Sequence, residues 1–104
     1  MLYLQLHNST RRAPVSLRRG KIADMEIAVA NIMRDISFAN NGDKERRCGF
    51  IDSALSKIEG LEIDVRIIFD LGCTSKKGFA AIIRCEQNVV KQLMGWKKKT
   101  LENA

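Results

Sequence analysis

The sequence predicts an all-α fold: an up-down four-helix bundle with a short first helix. Apolar residues recur at helical spacing through most of the chain. A single proline, Pro14, occurs among 104 residues. The breaks between periodic segments are only a few residues long, which makes successive helices antiparallel neighbours. A chain of this size is one domain, 1–104, with one core, and oligomerisation would add to its modest stability.

The first helix is expected over about 2–11. Leu2, Tyr3, Leu4 and Leu6 supply its apolar side, although their near alternation fits a strand as well. RRAPVSLRRG is a break, because Pro14 disfavours helix at Ala13 and Gly20 adds a second loose point. A second helix follows over 21–40. Ile22, Met25, Val29, Ile32, Met33 and Ile36 fall on one face, and Ala28 and Ala30 add helix propensity. The Asn and Gly of ANNGD suit a left-handed C-cap, and Asp43 suits the N-cap of the next helix.

The third helix is expected over 44–71. Its stripe is Ile51, Ala54, Leu55, Ile58, Leu61, Val65 and Ile68, with Phe50 and Phe69 beside it. Gly49 and Gly60 lie inside it, each costing roughly 1 kcal/mol relative to Ala. They read as points where a neighbouring helix comes close. Gly72 stops the helix, and Thr74 or Ser75 caps a fourth over 75–99. Phe79, Ile82, Ile83, Val89, Val90 and Leu93 form the last stripe. Glu86 interrupts it and reads as a half-exposed carboxylate paired with Arg or Lys of a neighbouring helix. In the closing stretch VVKQLMGWKKKT, Gly95 would let another backbone approach and Trp96 would make a packing or subunit contact.

The net charge is +6, and its excess sits at the two ends. Arg11, Arg12, Arg18, Arg19 and Lys21 precede the first acid, and Lys91, Lys97, Lys98 and Lys99 face only Glu102. Residues 22–90 hold more acids than bases. Such a distribution favours a polyanionic partner, nucleic acid before others. A solubilising surface on an ordinary bundle explains composition alone equally well. No recognition-helix pattern or aromatic stacking platform occurs, so sequence preference is not expected.

Enzymatic constellations are missing: no P-loop, G-x-G-x-x-G, G-x-S-x-G or H-E-x-x-H. His7 is the lone histidine and fits a surface or interface better than catalysis. Glu59, Glu62 and Asp64 cluster without the second carboxylate pair that a bundle metal site needs. Glu62 and Arg66 read as an i, i+4 pair. A non-enzymatic binding or assembly protein without cofactor or metal is expected. No apolar run reaches the ~20 residues of a membrane span, and MLYLQLHNST lacks the pattern of a signal peptide. Cys48, Cys73 and Cys85, odd in number and without C-x-x-C spacing, read as reduced thiols of a cytoplasmic protein.

Two stretches carry a family resemblance. NSTRRAPVSLRRGKIADMEIAVANIM, with Arg12, Pro14, Ser16 and Arg18 in an R-x-P-x-S-x-R pattern, resembles the basic loop and second helix of small bacterial four-helix-bundle proteins. RIIFDLGCTSKKGFAAIIRCEQNVVKQLMGWKKK is similar to their third-to-fourth helix passage, which closes in Gly-Trp and basic residues. The best match within them is the Avd-like accessory proteins of diversity-generating retroelements; the branch encoded in ribosomal RNA intervening sequences is related. The first helix here is shorter than the family's, and only one glycine precedes the tryptophan. The resemblance implies a basic, barrel-like homopentamer that binds a reverse transcriptase and its template RNA or cDNA and supports mutagenic reverse transcription. Arg11, Arg12, Arg18, Arg19 and Lys21, with Lys91, Lys97, Lys98 and Lys99, would face those partners, while Tyr3, Gly95 and Trp96 would serve packing and assembly. In the related branch, a structural bundle with no nucleic-acid role is the alternative.

Overall fold

The computed structural model describes residues 2–10 and 18–102, and four α-helices account for most of them. These are α1 (Leu2–Thr10), α2 (Ala23–Asn41), α3 (Lys44–Asp70) and α4 (Lys76–Glu102), with no strand among the described residues. A π-helical turn, Arg18–Ile22, runs into α2 without interruption. The chain is therefore already helical at 18, and Gly20 is not a break. Ile22 enters α2 in helical geometry without a side-chain cap. The turn before it supplies the carbonyls that a free helix start would lack.

The other ends are fixed by local chemistry. Asp43 caps α3 by accepting the Arg46 N–H at 2.9 Å. Ser75, rather than Thr74, caps α4 through the Gly78 N–H at 3.0 Å. At the end of α3, Gly72 takes a φ of 76°, and the Gly72 and Cys73 amides donate to the Phe69 and Ile68 carbonyls, both at 2.9 Å. Gly42 departs from the left-handed expectation, with φ −90° and ψ 165°. What it provides is room: a Cβ there would meet Arg46 Cβ and the Phe38 carbonyl oxygen at 3.2 Å each.

The helices form an up-down bundle, elongated to 48 × 22 × 18 Å. α3 is central, packing on α2 and α4, and α1 packs on α4 and α2. Ile51, Ala54, Ile58, Leu61, Val65 and Ile68 of α3 are buried together with Ile22, Met25, Val29 and Ile32 of the α2 arm. Ile82 and Leu93 of α4 and Leu2 and Leu6 of α1 complete the core. Polar ties set the register. Buried Asp35 accepts from Ser53 Oγ at 2.9 Å and Lys57 Nζ at 2.7 Å, and Lys21 reaches Asp64 at 2.7 Å. Lys97 meets Asp52 at 2.7 Å, joining α4 to α3.

Two expectations about packing change. Met33 is half exposed, because a helix carries it ~100° round from Ile32, and the place facing α3 belongs to Asp35. Gly49, Gly60 and Gly95 are exposed, and a Cβ at any of them would meet nothing within 4 Å. Among the described residues, no helix approaches them. Gly49 and Gly60 share an uncharged outer strip of α3 with Ser56, Ile63 and Ile67; Ile63 is 59% exposed. In the isolated chain, Gly60→Ala is expected to raise stability by about 1 kcal/mol in urea unfolding. A loss of stability at concentrations where copies associate would place a second chain against this strip.

Candidate nucleic-acid interface

The outer face of α4 is built from one spacing. Lys77, Arg84, Lys91 and Lys98 recur every seven residues, and all four are exposed. Seven residues bring a helix nearly back to the same direction and advance it about 10.5 Å, with a drift of ~20°. The four cations thus form a slowly winding row roughly 32 Å long. Glu86 and Glu102 are the only acids in α4. The first is buried, and the second sits beyond Lys98, 4.0 Å from its ammonium. Asn88, Gln87 and Gln92 occupy exposed positions between the cations.

A cleft lies near each end of the row. Toward the start of α4, Phe79, Ala80 and Ile83 floor a cleft of about 400 Å³ flanked by Arg66, Lys76 and Arg84. Phe79 is held there by stacking on Phe69, with centroids 4.4 Å apart. Toward the other end, Lys44 and Arg47 of the first turns of α3 face Trp96, Lys99 and Thr100 across a cleft of about 210 Å³. Neither lining includes an acid.

The expected site residues divide. Lys91 and Lys98 belong to the row, and Lys99 to the smaller cleft. Lys97 turns to α3, where the hydrogen bond and charge of Asp52 raise its pKa. Trp96 is half-buried and packs against the core, carrying Arg47 over its ring at 5.6 Å. Gly95 brings nothing close to it. Tyr3 is exposed and stacks beside His7, which meets Glu26 at 3.3 Å. Arg11 and Arg12 lie outside the described residues, as do the side chains of Arg18 and Arg19. Lys21 sits beside Asp64, twenty residues along α3 from Lys44. At 1.5 Å per residue that separation is roughly 30 Å, so Lys21 and the Lys97–Lys99 end are not one patch.

Lys44, Arg47, Lys77 and Arg84 lie in the acid-rich middle of the chain, where a tally of charge by segment hides them. The seven-residue spacing from Lys77 to Lys98 was the readable signal. Among the described residues, no group of three or more His, Cys, Asp or Glu is placed to hold a metal. The three cysteines are free, and no helix is long and apolar enough to cross a membrane.

Behind the row, Glu86 contradicts its expected role. It is fully buried, and neither carboxylate oxygen meets a partner in full hydrogen-bond geometry among the described residues, although the Glu62 carboxyl lies close enough to favour its protonated form. The charges of Glu62 and Arg66 both act on it, and the expected Glu62–Arg66 ion pair is not formed among the described residues. Burial first, and the Glu62 charge second, push its pKa from 4.5 to about 8, against the opposing pull of Arg66. Glu86 is therefore mostly protonated at pH 7, an acid kept in the core by holding its proton. Below pH 4.5 both the folded and the unfolded chain carry this proton. As pH rises toward 8, the unfolded chain releases it and the folded chain does not, so stability falls across that window, by at most roughly 5 kcal/mol. Glu86→Gln is expected to flatten the decline, read as urea midpoints between pH 5 and 8.

No family model, curated protein or solved structure matches this chain.

Proposed function

We propose that this protein is a non-enzymatic, nucleic-acid-binding scaffold whose interface is the outer face of α4. The exposed row Lys77, Arg84, Lys91 and Lys98, with no exposed acid of α4 before Glu102 at its end, is the observation that carries the reading. A strand presents one phosphate about every 3.4 Å, so one cation per ~10.5 Å meets every third phosphate along the row. The clefts at the two ends extend the positive surface without adding an acid. Cations at this spacing match phosphates rather than particular bases, which fits binding through the backbone.

The resemblance to Avd-like proteins supplies the setting: an accessory of a diversity-generating retroelement that holds template RNA or cDNA and a reverse transcriptase during mutagenic reverse transcription in the cytoplasm. Arg11, Arg12, Arg18 and Arg19 belong to this proposal on their charge alone. Self-assembly, as a pentamer on the same resemblance, is supported by the outer strip of α3, where Ile63 and Ile67 lie open beside small residues. The same strip favours the second reading, an interaction bundle of the intervening-sequence branch with no nucleic-acid role.

Binding to a single-stranded RNA is expected to weaken steeply with salt. Replacing Lys77, Arg84, Lys91 and Lys98 together by Ala should lower the slope of log affinity against log salt by up to roughly 3. An unchanged slope removes α4 from the interface, and no binding by the native protein leaves the interaction bundle as the better account. Light scattering at micromolar concentration is expected to give a mass above that of one chain; a clean monomer ends the assembly part of the proposal.

A further inference from the structure

Arg47 is held in a way that the other surface cations are not. Its Nε donates to the Ala39 carbonyl of α2 at 3.1 Å, and its guanidinium lies over the Trp96 ring of α4 at 5.6 Å. One bond and one stacked face fix the plane of the group, with the side chain half-buried where three helices meet. Both terminal amino groups remain without a protein partner among the described residues. A planar fork already fixed in place gives up little freedom when it accepts an oxyanion across two N–H groups.

The surroundings leave room and charge for one anion. Lys44 and Lys99 line the same cleft of about 210 Å³, both exposed and neither in an ion pair among the described residues. Their neighbours differ: Lys97 is tied to Asp52 and Lys98 approaches Glu102. The acids adjacent in sequence are Asp43, which caps α3 through the Arg46 amide, and exposed Glu45; neither lines the cleft. The Thr100 hydroxyl donates to the Trp96 carbonyl at 2.9 Å, which ties the far wall to α4 itself. Arg47 covers the Trp96 ring where a stacking base would lie, so the cleft offers hydrogen bonds and positive charge rather than an aromatic platform.

We infer that the cleft between Arg47, Lys44 and Lys99 is a discrete phosphate-binding site, taking one backbone phosphate of the nucleic-acid strand that follows α4. This rests on the proposed function for the source of the phosphate. The fork holds the two non-bridging oxygens, which share one negative charge, and the two ammonium groups add attraction for the phosphates on either side. Lys99 follows Lys98 in sequence and points ~100° round the helix from it, so a strand leaving the row reaches the cleft by turning across α4.

Trp96 is the only tryptophan in the chain, and its emission reports on the site. Inorganic phosphate is expected to change that emission saturably, while chloride at matched ionic strength does not. Arg47→Lys keeps the charge and removes the fork, and should weaken binding of an RNA oligonucleotide by at least roughly tenfold. Arg46→Ala loses a charge outside the cleft and should change it far less. Where RNA binds with a steep salt slope but Arg47→Lys behaves as the native protein, the phosphate site falls and the proposed function stands. Where phosphate saturates the emission but RNA does not bind, the site stands and the proposed function falls. Should Arg47→Lys melt early, Lys44→Ala with Lys99→Ala changes two exposed residues with the fold kept. Loss of the phosphate response is then the expected result, and its persistence overturns the site.

Discussion

The buried stripe of α3 is the constraint on which the rest depends. Ile51, Ala54, Ile58, Leu61, Val65 and Ile68 leave water together, and that requires a helix on each side. α2 and α4 meet this need in antiparallel runs set by short connections. Once the stripe is covered, the opposite directions on α2 and α4 are committed to solvent. The cationic row of α4 follows from that commitment: its four members lie where no core contact is possible.

The charges then sort by neighbour. α3 carries acids on its flanks, and Asp52 and Asp64 take up Lys97 and Lys21. These exposed bridges contribute little stability, with a typical value below about 1 kcal/mol. Their effect is on the partition of cations. Lys21 and Lys97 serve the bundle, whereas Lys77, Arg84, Lys91, Lys99 and Lys44 have no protein counterion among the described residues. The buried Glu86 adds little negative charge behind the row at neutral pH, because burial holds its proton on. An ionised carboxylate there would cost the fold its solvation energy and would oppose the row's field.

Helix number, helix boundaries to within a few residues, the α3 stripe and the Asp43 cap were legible because each is a local matter of periodicity or capping. Gly72 was legible for the same reason. Met33, Glu86 and the three exposed glycines were not. Whether a residue at the edge of a stripe is covered depends on which neighbour stands opposite, and Asp35 took the place beside α3 by finding Ser53 and Lys57. Of the site, Lys91, Lys98 and Lys99 were visible as end-of-chain charge, but Lys44 and Arg47 were not, since they lie fifty residues away from their cleft partners.

What the sequence determined alone was the all-α class, the order and extent of the helices, and a positive excess at the ends; periodicity, caps and composition act within a few residues. Tertiary structure decided which cations are consumed by α3's acids and which remain free, and it brought Lys44 and Arg47 to Trp96 and Lys99. It also decided that Glu86 is enclosed beside Glu62 rather than ion-paired with an Arg or Lys among the described residues. These outcomes turn on distances between helices, and antiparallel packing alone sets those distances.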